Sequence, residues 1–269
     1  MSGTRSRSPT APAIRRASAS TALLLCAHGS PGSGESLARR AAALGRRLGC
    51  TETAGALLYG DPRLEEVVAN LSSPRVCVVP LLLSEGTTFA ALSDRLQDLG
   101  GASRFTLCRP LGTHPRLAAG LLATTEGEAR HAGWLAQDLA LVLVGHGSRR
   151  NPASREATRR LARLVGRAAR RVRVACAFLE EPPALDAVLA AAPEQRIVVA
   201  GCFSEEGRHA RQDVPALIAA SGRQVRYLGP IAAAGWADIL ILDSAARAMA
   251  EAGQKMTPKQ GEDACLVNR

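Results

Sequence analysis

Two stretches of this chain read alike. LLLCAHGSPGSGES (Leu23–Ser36) and LVLVGHGSRRNPAS (Leu141–Ser154) each run an apolar segment directly into His-Gly-Ser, placing His28 and His146 118 positions apart. Downstream, CVVPLLLSEGTTF (Cys77–Phe89) aligns with IVVAGCFSEEGRH (Ile197–His209), and RPLGTHP (Arg109–Pro115) more loosely with RYLGPIA (Arg226–Ala232). The offset stays near 120, so the chain reads as a tandem duplication of one unit.

Within each unit, uninterrupted apolar runs alternate with amphipathic ones. In the second half strands are expected at about 139–145, 172–179, 196–203 and 224–228. Helices are expected at about 152–168, just after Pro183, at 209–220 and at 234–250. The first half repeats the order over about 21–125. Apolar strands without polar alternation, separated by helices, predict an α/β fold with a small parallel sheet flanked by helices in each half. The boundaries drawn are a disordered basic tail (1–20), an N-terminal domain (21–130), a linker at roughly 124–138, a C-terminal domain (139–250) and a flexible tail (251–269). For the helix at 152–168, Asn151 is the expected cap and Pro152 the first residue, with Ala157, Leu161, Leu164, Val165 and Ala168 on one face.

Composition narrows the function classes. With 46% hydrophobic but only 3% aromatic residues, the core must be built from Ala, Val and Leu. No apolar run approaches the roughly 18 residues of a membrane span. The seven cysteines include no CxxC pair, and Cys26, Cys77, Cys176 and Cys202 fall in strand-like runs, so they read as buried thiols in a reducing, cytoplasmic compartment. The basic first 20 residues and TALLLCA imitate a targeting signal, but the apolar run ends in His-Gly-Ser, not in a small-residue cleavage site. A net charge of +10 draws anionic ligands. Ten arginines against one acid, Glu156, lie between Arg149 and Arg173, as a solvated helix face or an anion-attracting surface. Nucleic-acid binding would rest on that helix alone, without the interleaved aromatics that stack bases.

Ligands of parallel α/β sheets collect beyond the carboxyl ends of the strands. Three such ends in the second half carry metal- or proton-competent residues: His146, then Glu180 in AFLEEP, then His209 in SEEGRHARQDVP. Ser148 lies in G-H-G-S, which is not the G-x-S-x-G of a nucleophile elbow, and no P-loop lysine or clean dinucleotide fingerprint follows either glycine-rich start.

LVLVGHGSRRNPAS, AFLEEP and SEEGRHARQDVP together resemble the CbiX-type sirohydrochlorin chelatases, in their long, two-domain form, over about residues 21–248. The resemblance implies two flavodoxin-like, chelatase-like α/β domains facing a cleft. It implies insertion of Co²⁺ or Fe²⁺ into sirohydrochlorin, in cobalamin or siroheme synthesis, with the metal as substrate and no prosthetic group. Its metal ligands fall on His146, Glu180 and His209, with His146 as ligand and base, His209 as ligand and second base, and Glu180 sharing in proton removal. Sirohydrochlorin carries eight carboxylates, for which Arg149, Arg150, Arg208 and Arg211 are the expected partners, with Ser148 beside them. The expected assembly is a monomer whose two domains pair, with no membrane or nucleic-acid partner. The first half departs from this pattern: Thr88 stands at the place of His209, and Gly60 roughly at that of Glu180 with Asp61 nearby, so one complete site is expected. In the second half, VVAGCF replaces the first half's VVPLLL, so Gly201 and Cys202 alter packing beside the site. The same residues would also serve a metal-delivery protein without turnover.

Overall fold

The structure, a computed structural model, describes residues 20–30, 32–135, 138–147 and 152–254. The expected basic tail, Ser148, Arg149, Arg150, Asn151 and residues 255–269 lie outside them. Among the described residues, eight strands form two sheets. The first contains β1 (Thr21–Ala27), β2 (Glu52–Leu57), β3 (Arg75–Pro80) and β4 (Phe105–Leu107) in the order β2-β1-β3-β4. The second contains β5 (Leu139–Gly145), β6 (Val172–Phe178), β7 (Arg196–Gly201) and β8 (Gln224–Pro230) in the order β6-β5-β7-β8. All pairings are parallel, and the matching orders carry the sequence repeat into topology.

The central strands β1 and β5 are buried along their whole length because each face of each sheet is covered. Alternation divides their side chains between cores. Leu23, Leu25 and Ala27 join Leu139, Leu141 and Leu143 in one core common to both halves. Ala22, Leu24 and Cys26 enter an outer core of the first half, and Ala140, Val142 and Val144 enter one of the second. A strand buried on both faces has no polar position to show, hence the unbroken apolar runs.

Helices complete the common core by crossing between halves. In chain order they are α1 (Ser33–Leu48), α2 (Leu64–Ala69), α3 (Thr87–Asp98), α4 (Gly101–Arg104), α5 (Leu117–His131), α6 (Ala153–Ala168), α7 (Leu185–Ala191), α8 (Val214–Ala220) and α9 (Asp238–Gln254). The last helix, α9, lies on β3 and β4 of the first sheet beside α1, while α5 packs against α6 of the second half. The Cys77 and Cys108 thiols approach the α9 carbonyls of Ala245 and Ser244 at 4.0 and 3.7 Å. Arg40 of α1 donates to Asp238 Oδ1 at 2.7 Å and to the carbonyls of Ala232 and Ala234 at 2.6 and 3.1 Å.

Several boundaries differ from expectation. The stretch expected as linker is largely α5, since Leu117, Leu121, Thr125 and Ala129 form a buried stripe at i, i+4 spacing. Helix α9 begins at Asp238, not near 234, and continues to Gln254, into the expected flexible tail, with Ala248 and Met249 packed on the common core. On α6 the buried stripe is Thr158, Leu161 and Val165; Leu164 is 45% exposed and Ala168 is exposed, because both lie about one residue off a 3.6-residue period. Pro152 immediately precedes the helix and is not its first residue.

His114 closes the crossing of α9. Its Nε2 lies 2.9 Å from Asp243 Oδ2, and its Nδ1 accepts from the Arg116 backbone N–H at 3.1 Å, so the neutral ring is satisfied at both nitrogens. Burial holds its pKa below the ordinary value of an imidazole; the hydrogen bond and charge of Asp243 oppose that shift, and the Arg247 and Arg116 charges reinforce it. The unfolded chain takes up the proton first as pH falls. The contribution to stability is therefore complete above about pH 6.5 and declines below it. Urea titrations should show one unfolding transition whose midpoint falls between pH 7.5 and pH 5.5, with a smaller fall in His114→Gln; an equal fall in both proteins would contradict this assignment.

Candidate metal centre

Strand order places the three candidate ligands. In β6-β5-β7, His146 follows the middle strand, Glu180 lies two residues past the end of β6, and His209 is on the segment after β7. Backbone bonds hold the first two loops together: Leu179 N–H donates to Gly145 O at 3.1 Å and Glu180 N–H to His146 O at 3.0 Å. The glycine after each repeat histidine turns the chain through positive φ, 124° at Gly29 and 73° at Gly147. A β-carbon would lie 2.8 Å from the Tyr59 backbone at the first and 2.8 Å from Glu181 Cγ at the second, which accounts for His-Gly in both copies.

Ligand atoms of His146, Glu180 and His209 all lie within 4.8 Å of one another, the one such cluster among the described residues. The imidazoles of His146 and His209 stand 4.6 Å apart at 52°. His146 Nδ1 lies 3.6 Å from Glu180 Oε1, too far for a hydrogen bond, and is a buried nitrogen without a partner among the described residues. Leaving such an atom unpaired is costly, and an ion between imidazole and carboxylate would satisfy it.

His209 opens a single π-helical turn, His209–Asp213, that continues into α8. The turn brings Asp213 Oδ2 to 2.7 Å from His209 Nδ1. A proton on Nδ1 donated to that carboxylate leaves the Nε2 lone pair as the ring's metal-binding electron pair. Sequence reasoning missed Asp213, although the i, i+4 spacing in HARQD was a signal for it. Phe203 stacks on the His209 ring at 6.3 Å and 30°, so part of the altered VVAGCF segment supports a ligand. Cys202 also lines the cleft, but burial pushes its thiol up to about 12, keeping it a protonated wall residue and not a thiolate.

The cleft has a volume of about 510 Å³ and both halves line it: His28, Ser30 and the Leu82–Thr88 loop on one side, His146, Phe203, Glu205 and His209 on the other. Glu180 is half exposed and is not among the residues that line it. Arg208 and Arg211 do not line it. Arg208 is 79% exposed with Nε 3.6 Å from Asp213, and Arg211 bonds Glu206 at 2.8 and 3.3 Å.

The first-half counterpart of Glu180 is Tyr59, not Gly60. Tyr59 N–H donates to His28 O at 2.8 Å, as Glu180 N–H does to His146 O, and the later cis prolines, Pro62 and Pro183, match at the same offset. Asp61 then corresponds to Pro182, two residues too late for Glu180's place. The Tyr59 ring lies 5.0 Å from His28 and under the Arg95 guanidinium at 5.3 Å. Thr88 lines the cleft, and no metal-ligand cluster occurs in the first half among the described residues.

Two parallel-sheet halves with a His-His-carboxylate cluster beside the cleft between them define a chelatase-like α/β protein with a candidate site for a divalent ion. The CbiX family model matches residues 22–126 and 140–248, and the chain belongs to the CbiX family. It is 26% identical to the probable sirohydrochlorin cobaltochelatase of Halobacterium salinarum, over 86% of this chain and 93% of that one. The solved structure of CbiX, described as the terminal enzyme for biosynthesis of siroheme in denitrifying bacteria, superposes with TM-score 0.65 at 28% identity, covering 82% of this chain and 96% of that one. SirB from Bacillus subtilis with Fe³⁺ shares the fold, with TM-score 0.66 at 17% identity over 87% of this chain and 98% of that one.

Replacing Asp213 by Asn removes the charge that orients His209 and makes it basic. Calorimetric affinity for Co²⁺ should fall roughly tenfold to a hundredfold with the fold intact by circular dichroism; unchanged affinity would show that the His209–Asp213 contact is only structural.

Proposed function

We propose that this protein inserts Co²⁺ or Fe²⁺ into sirohydrochlorin, acting as a lyase of cobalamin or siroheme synthesis. The observation that carries the reading is the convergence of His146, Glu180 and His209 within 4.8 Å, with both imidazoles on one wall of a two-walled cleft. Its substrate class comes from the Halobacterium relative and from CbiX.

The donor set suits transfer of a metal. Imidazole and carboxylate bind Co²⁺ and Fe²⁺ without the grip of a thiolate cage, and Cys202, the cysteine at the cleft, stays protonated. Three protein ligands leave coordination positions open for macrocycle nitrogens. As those nitrogens bind, two N–H bonds break, the electron pairs form metal–nitrogen bonds, the bonds to His146, Glu180 and His209 are released, and the two protons pass to basic groups of the cleft, the freed ligand lone pairs among them. A net charge of +10 draws the polycarboxylate toward the protein, and Arg149, Arg150, Arg208 and Arg211, with Ser148, are proposed as its partners. Both walls belong to one chain, so a monomer is sufficient. The six described cysteines are free, in keeping with a reducing compartment such as the cytoplasm. No helix among the described residues is long and apolar enough to cross a membrane.

Spectrophotometric turnover of sirohydrochlorin with Co²⁺ and with Fe²⁺ tests the reading. His146→Ala and His209→Ala should each lower kcat/KM by about a hundredfold or more. Full activity in both variants would refute the site, and metal binding that leaves the macrocycle spectrum unchanged would favour a metal-delivery protein.

A further inference from the structure

The electron pairs of the ligand set leave one step unassigned. A neutral imidazole has a single available lone pair, which either coordinates an ion or accepts a proton. While His146 and His209 hold the metal, neither can take the first proton from the macrocycle. The cleft contains a third imidazole outside that set. His28 directly follows β1 on the first-half wall, lines the same cleft, and is exposed.

The loop bearing His28 is fixed by the second half. Glu205, four residues before His209, crosses the cleft to the turn after β1. Its Oε2 accepts from Gly29 N–H at 2.9 Å and Ser30 Oγ at 3.1 Å, and its Oε1 lies 2.7 Å from Ser33 Oγ at the start of α1. Ser33 has one hydroxyl proton, which the Ser30 carbonyl at 2.8 Å also solicits; the ionised carboxylate is the stronger acceptor. Its repeat counterpart, Glu85, instead pairs with Arg109 in its own half at 2.9 Å. Tyr59 packs against the His28 ring, limiting its rotation. One segment of the second half therefore carries the ligand His209 and, through Glu205, the position of His28.

We infer that His28 is a catalytic proton acceptor, receiving a macrocycle N–H proton from the first-half wall while the metal is held on the second, with Glu205 as its positioning residue. The inference rests on the metal-insertion reading above. One N–H bond breaks, its electron pair forms a metal–nitrogen bond, and the proton goes to the free ring nitrogen of His28. The second proton passes to the ligand set once the ion has left it. His28 then returns its proton to water.

The test is kcat against pH at saturating Co²⁺ and sirohydrochlorin, where the profile reports groups that titrate in the complex. Co²⁺ affinity is measured separately without macrocycle. His28→Ala and His28→Gln should both lower kcat by about a hundredfold, abolish the rise of kcat on its acid limb, and leave Co²⁺ affinity within about twofold. Glu205→Gln, which keeps the shape but weakens the clamp, should lower kcat by about tenfold and retain the rise. Either His28 variant keeping kcat within twofold, keeping the acid limb, or losing Co²⁺ affinity together with activity would overturn the inference. If wild-type Co²⁺ affinity is insensitive to His146→Ala and His209→Ala, the metal site itself fails. If that affinity depends on both and the His28 variants turn over normally, only the role of His28 fails.

Discussion

The common core between the two sheets is the constraint on which everything else depends. Leu23 and Leu25 from β1 meet Leu141 and Leu143 from β5 in one apolar cluster, closed by α5 and α9 from opposite halves. Burying that area of aliphatic surface makes separation of the halves costly. The cleft is therefore bounded by two walls held by a packed interior, and a shift between them would disturb side chains packed at crystal-like density. A duplicated chain with two independent cores would have left the cleft width to a linker.

On this frame the two copies have diverged in complementary ways. Both keep the strand-end histidine and the positive-φ glycine behind it, which are demands of backbone geometry. The second copy adds Glu180 and His209, which with His146 gather three candidate metal ligands at its strand ends, and Asp213, which contacts His209. The first copy has Tyr59 in Glu180's place and Thr88 on its side of the cleft, neither of which can supply a carboxylate or a second imidazole. What it keeps is an unligated imidazole, anchored by Glu205 from across the cleft. The division separates holding a cation from accepting a proton, which one imidazole lone pair cannot do simultaneously.

Much of this was legible in the chain because its governing patterns are local. The unbroken apolar runs of β1 and β5 announced strands buried on both faces, and their repetition announced the duplication. His146, Glu180 and His209 could be grouped because parallel sheets bring strand ends to one rim. The exchange of α5 and α9 was not legible, since an apolar helix stripe shows that a face is buried but not what buries it. The first-half counterpart of Glu180 was displaced by one residue because the register there is set by backbone bonds from Tyr59 and Glu180, which leave no trace in residue type. Glu205 read as one acid among several in SEEG; its role depends on a contact 172 to 176 residues away in the chain.

The ligand set around the ion is the central claim, and X-ray absorption on the Co²⁺-loaded protein addresses it most directly. The expected spectrum shows only nitrogen and oxygen neighbours, with multiple scattering from two imidazoles, and loses the signature of one of them in His209→Ala. A cobalt–sulfur distance near 2.3 Å, or a spectrum unchanged by that substitution, would contradict a site built from His146, Glu180 and His209.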